Sequence, residues 1–154
     1  MKDKRKPAQS NGTASASRGG FTDEEKAAMK DRVKEMRRGP KANDADVEAE
    51  VLAKIAEMPE ADRRRGERIH ALIKARAPHL TPRLWYGMPA YAKDGKTICF
   101  FQNASKFKMR YAMLGFSDNA KLDDGTMWPV YYALTELTKA DEARIAALIE
   151  QAAS

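Results

Sequence analysis

The sequence predicts an α+β domain in which helices pack on one face of a small antiparallel sheet. Three observations support this fold class. Apolar residues recur at helical spacing between residues 45 and 76, and short apolar segments separated by turn signals follow between residues 83 and 134. Helical spacing then returns after residue 138. Helices, a strand meander and a final helix are typical of a two-layer domain whose sheet has one covered face.

A basic N-terminal tail precedes the domain. The chain has 154 residues and a net charge of +6, and most of this charge falls in residues 1–20, which contain no large apolar side chain after Met1. Such a segment cannot bury enough surface to offset the entropy of ordering, so its basic residues either solubilise the protein or contact nucleic acid or acidic lipid weakly. We therefore predict a disordered tail at 1–20, a peripheral helix at 21–40 and an α+β domain at 41–154.

Start and stop signals place three helices before the sheet. Thr22 with Glu25 forms a capping box, and Gly39-Pro40 ends this first helix. Its narrow apolar stripe of Met29, Val33 and Met36 predicts a peripheral helix or one that docks on a partner. The second helix covers about 44–57, and the third begins at Pro59 and ends at 77–78. The predicted core residues of these two helices are Val47, Val51, Ile55, Met58, Ile69, Leu72 and Ile73.

Alternation and turn signals predict the strands. The predicted strands cover residues 83–86, 90–91, 97–102, 107–112 and 127–134. Gly87-Met88-Pro89 interrupts the first of them, and Asp94-Gly95 predicts a hairpin turn. A polar loop is expected at 115–125, and Pro129 places the last strand at a sheet edge. Thr138 with Asp141 caps the final helix, whose core residues are Ile145, Leu148 and Ile149.

Composition limits the compartment. Cys99 is the only cysteine, so an intramolecular disulfide is excluded and no oxidising compartment is required. No apolar run approaches the roughly 20 residues of a membrane-spanning helix. The basic N-terminus is not followed by the apolar segment of a secretory signal. We therefore expect a cytoplasmic protein without a membrane partner.

The run Tyr86-Gly87-Met88-Pro89-Ala90-Tyr91 resembles the signature of the YdhG-like family of uncharacterised bacterial domains, which is grouped by fold with the frataxin-like iron chaperones. Further matches, which extend the resemblance over about residues 45–152, are Pro59, Arg63, Ala77-Pro78, Gly95-Lys96 and Lys106. The resemblance implies an antiparallel sheet packed against helices. It also implies an intracellular iron chaperone that binds iron weakly and delivers it to an iron-acceptor protein.

Three carboxylates of the second helix, Asp46, Glu50 and Glu57, are the candidate metal ligands. At 100° per residue they lie within about 40° of one another on the side opposite the core residues. Carboxylate oxygens suit a hard cation, and the resemblance makes iron the expected metal. Ala53 and Lys54 interrupt this acidic row, so a solvated helix face is the alternative interpretation.

Aromatic and basic residues of the strands are the candidate ligand-binding residues, namely Trp85, Tyr86, Met88, Phe101, Lys108 and Arg110. Alternation places Cys99 and Phe101 with the two cations on the face opposite the helices, where Trp128 or Tyr131 joins them. Aromatic rings beside cations can stack bases, hold an anionic ligand or form a protein interface. Two alternatives stay open: a purely structural Tyr-Gly-Met-Pro turn, and a sheet face shielded by the 115–125 loop or the first helix.

Few residues offer catalytic chemistry. Glu67 and His70 form half of a helical metal motif, His79 is expected at the surface, and Cys99 is expected to be a buried, inert thiol. Nothing resembles a paired base and nucleophile, so we predict that the protein is not an enzyme. The remaining functions are iron handling, a non-catalytic small-molecule or protein-binding module, and, ranked below both, weak nucleic-acid binding.

Overall fold

The computed structural model describes residues 20–38 and 43–154, and this part of the chain forms four α-helices, a 3-10 helix and a five-stranded antiparallel sheet. The helices are α1 (Asp23–Arg37), α2 (Asp44–Ala56), α3 (Glu60–Arg76) and α4 (Lys139–Ala152). The strands are β1 (Thr81–Trp85), β2 (Met88–Lys93), β3 (Lys96–Gln102), β4 (Ala112–Phe116) and β5 (Tyr131–Leu134), and they pair in chain order. The predicted α+β fold class is confirmed.

Helices α2, α3 and α4 cover one face of the sheet. Of the core residues predicted on them, Val47, Leu72 and Leu148 are half-buried and the others are buried. Gly66 of α3 brings this helix close to the sheet, since an added Cβ would lie 3.1 Å from Cε1 of Phe101 and 3.2 Å from Cγ2 of Ile55. Within residues 20–38 and 43–154, no helix has the length and apolar content needed to cross a membrane.

Two tight turns connect the first three strands. Asp94 and Gly95 have φ angles of 51° and 78°, which confirms the predicted hairpin. Tyr86 and Gly87 have φ angles of 52° and 76° and form a second hairpin of the same kind. The predicted interruption at 87–89 is therefore wrong, because the chain reverses at 86–87 and Met88 already pairs with Trp85 in β2.

The strand predicted at 107–112 is also wrong. A 3-10 helix occupies Ala104–Phe107, and β4 begins only at Ala112. The buried Asp62 carboxylate of α3 accepts hydrogen bonds from the backbone N–H groups of Ala104 and Ser105, at 3.0 and 3.1 Å. This contact fixes the start of the 3-10 helix, and it joins residues too distant in sequence for alternation to reveal. The last two strands therefore begin later in the sequence than predicted, at Ala112 and at Tyr131. Strand β5 follows Pro129 and lies at a sheet edge, as predicted.

Helix α1 packs beside β1 and the 3-10 helix. Of its predicted apolar stripe only Met29 is half-buried, near Tyr86 and Phe107. Ala28 is buried on the docked side, whereas Val33 and Met36 are 47% and 67% exposed. The hydroxyl oxygen of Thr22 accepts a hydrogen bond from the Glu25 N–H at 3.1 Å, as expected of its N-cap. The predicted stop at Gly39-Pro40 and residues 1–19 of the predicted tail lie outside the described residues.

Candidate functional site

The face of the sheet that α2, α3 and α4 leave uncovered, called here the outer face, carries a row of residues in register. Ala90 pairs with Phe100, Phe100 with Gly115, and Gly115 with Tyr131. Paired residues share a face of the sheet. The Phe100 ring lies over Gly115, where an added Cβ would come within 2.6 Å of Cε1 of the ring. Glycine at 115 therefore lets the ring lie flat on the sheet.

Trp85 and Tyr131 extend this surface on either side of Phe100. The Trp85 and Phe100 ring centroids are 5.2 Å apart, and those of Phe100 and Tyr131 are 6.1 Å apart. Both distances are typical of interacting aromatic pairs. We call these three residues the aromatic row.

A cleft of about 810 Å³ lies between the aromatic row and the loop at 117–130. We call it the outer cleft. Its other lining residues include Asp118, Asp123, Thr126, Met127 and Trp128. None of the described lining residues is Lys, Arg, His or Cys. The volume is in the range of small-molecule sites, which are mostly apolar with a few polar groups.

The loop that forms one wall of the outer cleft is attached to the fold at several points. The Phe116 N–H donates to the Val130 carbonyl at 2.8 Å, and the Lys121 N–H donates to the Ala152 carbonyl at 3.1 Å. Leu122 is buried in the main core. The rim nevertheless leaves large apolar side chains in solvent, since Met127 is 88% exposed. Tyr131, which lines the same cleft, is also exposed, and several exposed apolar side chains around one cleft, unlike a single one, are a feature of binding sites.

The predicted ligand-binding residues separate into two groups. Trp85 lines the outer cleft, and Tyr86 and Met88 pack beside it against Phe100. Phe101, by contrast, is fully buried against the helices, so its predicted place on the outer face is wrong. Phe100 occupies that place instead. Residues 98–101 are all apolar, so the alternation in β3 does not reveal which of them face outward.

Lys108 and Arg110 are not on the outer face either. Both lie in the segment between the 3-10 helix and β4. The Lys108 ammonium is 2.9 Å from the Glu24 carboxylate, and the Arg110 guanidinium lies 5.3 Å from the ring centroid of Tyr111.

The two predicted cations are therefore absent from the outer face, and a different basic residue, Arg83, lies on it as the register partner of Ala90. Two carboxylates, Asp118 and Asp123, lie on the loop beside this face. Sequence reasoning missed Asp118 and Asp123, because no motif marks them. The available signal was Gly115, since a glycine within a strand often marks the close approach of another group.

The Tyr86-Gly87 turn is held by α1. The Glu35 carboxylate accepts hydrogen bonds from the backbone N–H groups of Tyr86 and Gly87, at 2.9 and 2.8 Å. The Arg32 guanidinium lies 5.7 Å from the Tyr86 ring centroid. An added Cβ at position 87 would lie 2.8 Å from the Lys106 ammonium. The first two residues of the run 86–91 therefore form a tight turn in which the positive φ angle at position 87 favours glycine, and α1 closes one side of it.

A second carboxylate of α1, Asp31, lies against the same turn. It is 3.6 Å from the Lys54 ammonium and 4.0 Å from the Lys106 ammonium. Burial lowers the pKa of Lys106, and the nearby Asp31 carboxylate opposes this effect. Helix α1 is thus attached to its own domain by charged contacts.

The predicted metal ligands lie on α2. Asp46 and Glu57 are exposed, and Glu50 forms an ion pair with the Arg38 guanidinium. In the part of the chain that the structure describes, no three side chains of His, Cys, Asp or Glu converge to form a metal site. Iron binding through these residues stays a prediction.

His70 is part of a buried network rather than a pair with Glu67. Its Nε2 is 3.1 Å from the Glu48 carboxylate, and its Nδ1 is 2.9 Å from the Tyr91 hydroxyl. Because a carboxylate only accepts, Nε2 carries the proton and Nδ1 accepts from the hydroxyl. Burial lowers the pKa of His70 and raises that of Tyr91. This network lies on the helix side of the sheet, away from the outer cleft.

The other candidate reactive groups have structural surroundings. Burial raises the pKa of the Cys99 thiol to about 12, so this cysteine is the inert, buried residue that the sequence predicts. Its predicted place on the outer face is wrong, because it belongs to the main core together with Phe101. His79 is exposed, as expected, and its Nε2 is 2.9 Å from the Ala153 carbonyl oxygen.

Comparison with known proteins gives no relative: no family model, no curated protein and no solved structure matches this chain. The resemblance to the YdhG-like family stays a prediction.

Proposed function

We propose that this protein is a non-catalytic binding module that takes a small organic ligand in the outer cleft. One observation carries the proposal: the aromatic row lines a cleft of about 810 Å³ in which the side chains of Met127 and Tyr131 are largely exposed. A ligand that covers ~100 Å² of this apolar surface would gain about 2.5 kcal/mol from burial. The few polar side chains on the loop would then orient it.

The polar groups of the cleft favour binding over catalysis. The Ser117 hydroxyl already donates a hydrogen bond to the Thr97 carbonyl and accepts one from the Asn119 N–H. The only two histidines of the chain lie elsewhere, since His70 is buried beneath the sheet and His79 contacts the end of the chain. A hydroxyl nucleophile needs an adjacent base, and neither imidazole is placed to serve Ser117.

An NMR titration of the isotope-labelled full chain tests the proposal. We would use four soluble probes that share one ring: two neutral compounds, phenol and benzyl alcohol, one cation, benzylamine, and one anion, benzoate. At least one should shift the backbone amide signals of Trp85, Phe100, Gly115 and Tyr131. The amides of α3, on the other side of the sheet, should not move.

A pair of methionine variants provides the control. Met127→Ala removes an exposed side chain at the rim of the cleft, and Met36→Ala removes one that is 67% exposed on α1. Met127→Ala should weaken binding of the active probe, whereas Met36→Ala should not. Equal effects of both variants, or no shift of the cleft amides by any probe at millimolar concentration, would contradict the proposed function.

A further inference from the structure

The described lining of the outer cleft carries negative charge only. Asp118 and Asp123 lie on its loop wall, and no Lys, Arg or His is among the described residues that line it. The Arg83 guanidinium beside the cleft is held by hydrogen bonds to the Thr97 hydroxyl, at 2.6 Å, and to the Gly95 carbonyl, at 3.1 Å. Both carboxylates are exposed to solvent, and carboxylates on the wall of a cleft attract cations and repel anions. The charge therefore favours a cationic ligand.

Two rings of the aromatic row are also available to a cation, since Tyr131 is exposed and Trp85 is half-buried, whereas Phe100 is buried. Four aromatic residues outside the row each have a cation of the same chain near the ring face, at 5.3–5.7 Å from the centroid. These pairs are Arg32 with Tyr86, Lys106 with Phe107, Arg110 with Tyr111, and Arg144 with Tyr132. Across residues 20–38 and 43–154, no such pair involves Trp85, Phe100 or Tyr131.

We infer that the ligand of the outer cleft is a small organic ammonium ion, quaternary or methylated, whose head lies on the aromatic row near Asp118 and Asp123. This inference rests on the proposed function and specifies its ligand class. Aromatic rings attract a cation within about 6 Å of the centroid and offer it no hydrogen bonds. A methylated ammonium needs few hydrogen bonds and is therefore better suited to this surface than a strongly hydrated inorganic cation. The cleft volume of about 810 Å³ accommodates a complete small molecule.

Three probes of nearly the same shape separate charge from shape. Choline is a quaternary ammonium, 3,3-dimethyl-1-butanol is its neutral carbon analogue, and 3,3-dimethylbutanoate is an anion of similar size. We would titrate each into the isotope-labelled full chain and follow the amides of Trp85, Phe100, Gly115 and Tyr131. Choline should bind about two- to thirty-fold more tightly than the neutral alcohol, and the anion should bind most weakly.

Two variants test the residues that carry the inference. Tyr131 is 60% exposed, so Tyr131→Leu keeps an apolar side chain without threatening the fold. It should reduce the preference for choline over the alcohol by several-fold, and Asp118→Asn with Asp123→Asn should reduce it by about two- to fivefold per charge. The control variant Tyr111→Leu changes a ring outside the cleft and should leave the preference intact.

The outcomes distinguish the inference from the proposed function. If choline binds no more tightly than the alcohol, or if the anion binds best, the ammonium inference fails and the cleft remains a binding site. The same holds if choline shifts nothing while one of the four ring probes shifts the cleft amides. If none of the seven probes shifts them, both fail.

Discussion

The ring of Phe100 lies on Gly115, and this contact forms the floor of the outer cleft. The two residues are register partners in β3 and β4, so their Cα atoms face one another across the strand pair. Any side chain at position 115 would meet the ring, because an added Cβ would lie 2.6 Å from Cε1 and closer still to Cζ. The shape of the cleft therefore depends on the absence of a side chain at one position.

The first prediction concerns this contact. Gly115→Ala forces the Phe100 ring away from the sheet and into the cleft, so it should lower the free energy of unfolding by about 1–3 kcal/mol and weaken probe binding. Urea denaturation and the NMR titration measure the two effects. The control is Gly115→Ala in a Phe100→Ala background, where it should lower the free energy of unfolding much less, because the ring is absent. Equal costs in both backgrounds would mean that the two residues do not interact in this way.

The second prediction concerns the attachment of α1. Glu35→Ala leaves the Tyr86 and Gly87 N–H groups without their carboxylate acceptor, and a polar group that loses its partner costs about 1–3 kcal/mol. Amide hydrogen exchange at residues 86 and 87 should become faster. Lys34→Ala, which removes an exposed charged side chain from the same helix, serves as the control and should leave exchange at these two amides unchanged. Unchanged protection in Glu35→Ala would show that α1 is held by other contacts.

The third prediction concerns pH and the His70 network. Burial holds the pKa of His70 below its usual value of about 6.5, so near and below this pH the unfolded chain binds a proton that the folded chain does not. The free energy of unfolding should therefore fall as pH decreases from 7 toward 5, with a slope of at most ~1.4 kcal/mol per pH unit. His70→Gln should flatten this slope in urea denaturation series. A slope equal to that of the wild type would exclude His70 as its cause.

The fourth prediction concerns iron on α2. If Asp46 and Glu50 hold Fe(II), Asp46→Asn with Glu50→Gln should abolish the line broadening that anaerobic Fe(II) causes at nearby amides. Arg38→Gln should strengthen binding, because it removes the guanidinium that pairs with Glu50. Glu136→Gln, an exposed carboxylate after β5, is the matched control. Broadening that persists unchanged in the double variant would place iron elsewhere.

Features set by neighbouring residues could be predicted from the sequence. Asp94-Gly95 predicts its hairpin because both residues tolerate positive φ angles, and the observed angles are 51° and 78°. Helical spacing likewise identifies Val51 and Ile69 as core residues, and both are fully buried. Thr138 and Asp141 form the predicted capping box at the start of α4. In each case the information lies within a few residues.

Features set by distant contacts could not be predicted. Asp62 fixes the 3-10 helix at Ala104, and this contact overrides the alternation that predicts a strand. In β3, consecutive apolar residues conceal that Phe100, rather than Phe101, faces outward. The acidic side of the outer cleft arises because the loop after β4 brings Asp118 and Asp123 beside a strand surface, which local patterns do not encode.

Tryptophan fluorescence tests most directly whether the outer cleft binds a small organic ligand. The chain has two tryptophans, Trp85 and Trp128, and both line the cleft. We predict that at least one of the seven probes, titrated into the full chain, changes the emission saturably and protects the tryptophans from acrylamide quenching. Unchanged emission and quenching with every probe at millimolar concentration would contradict the proposed site.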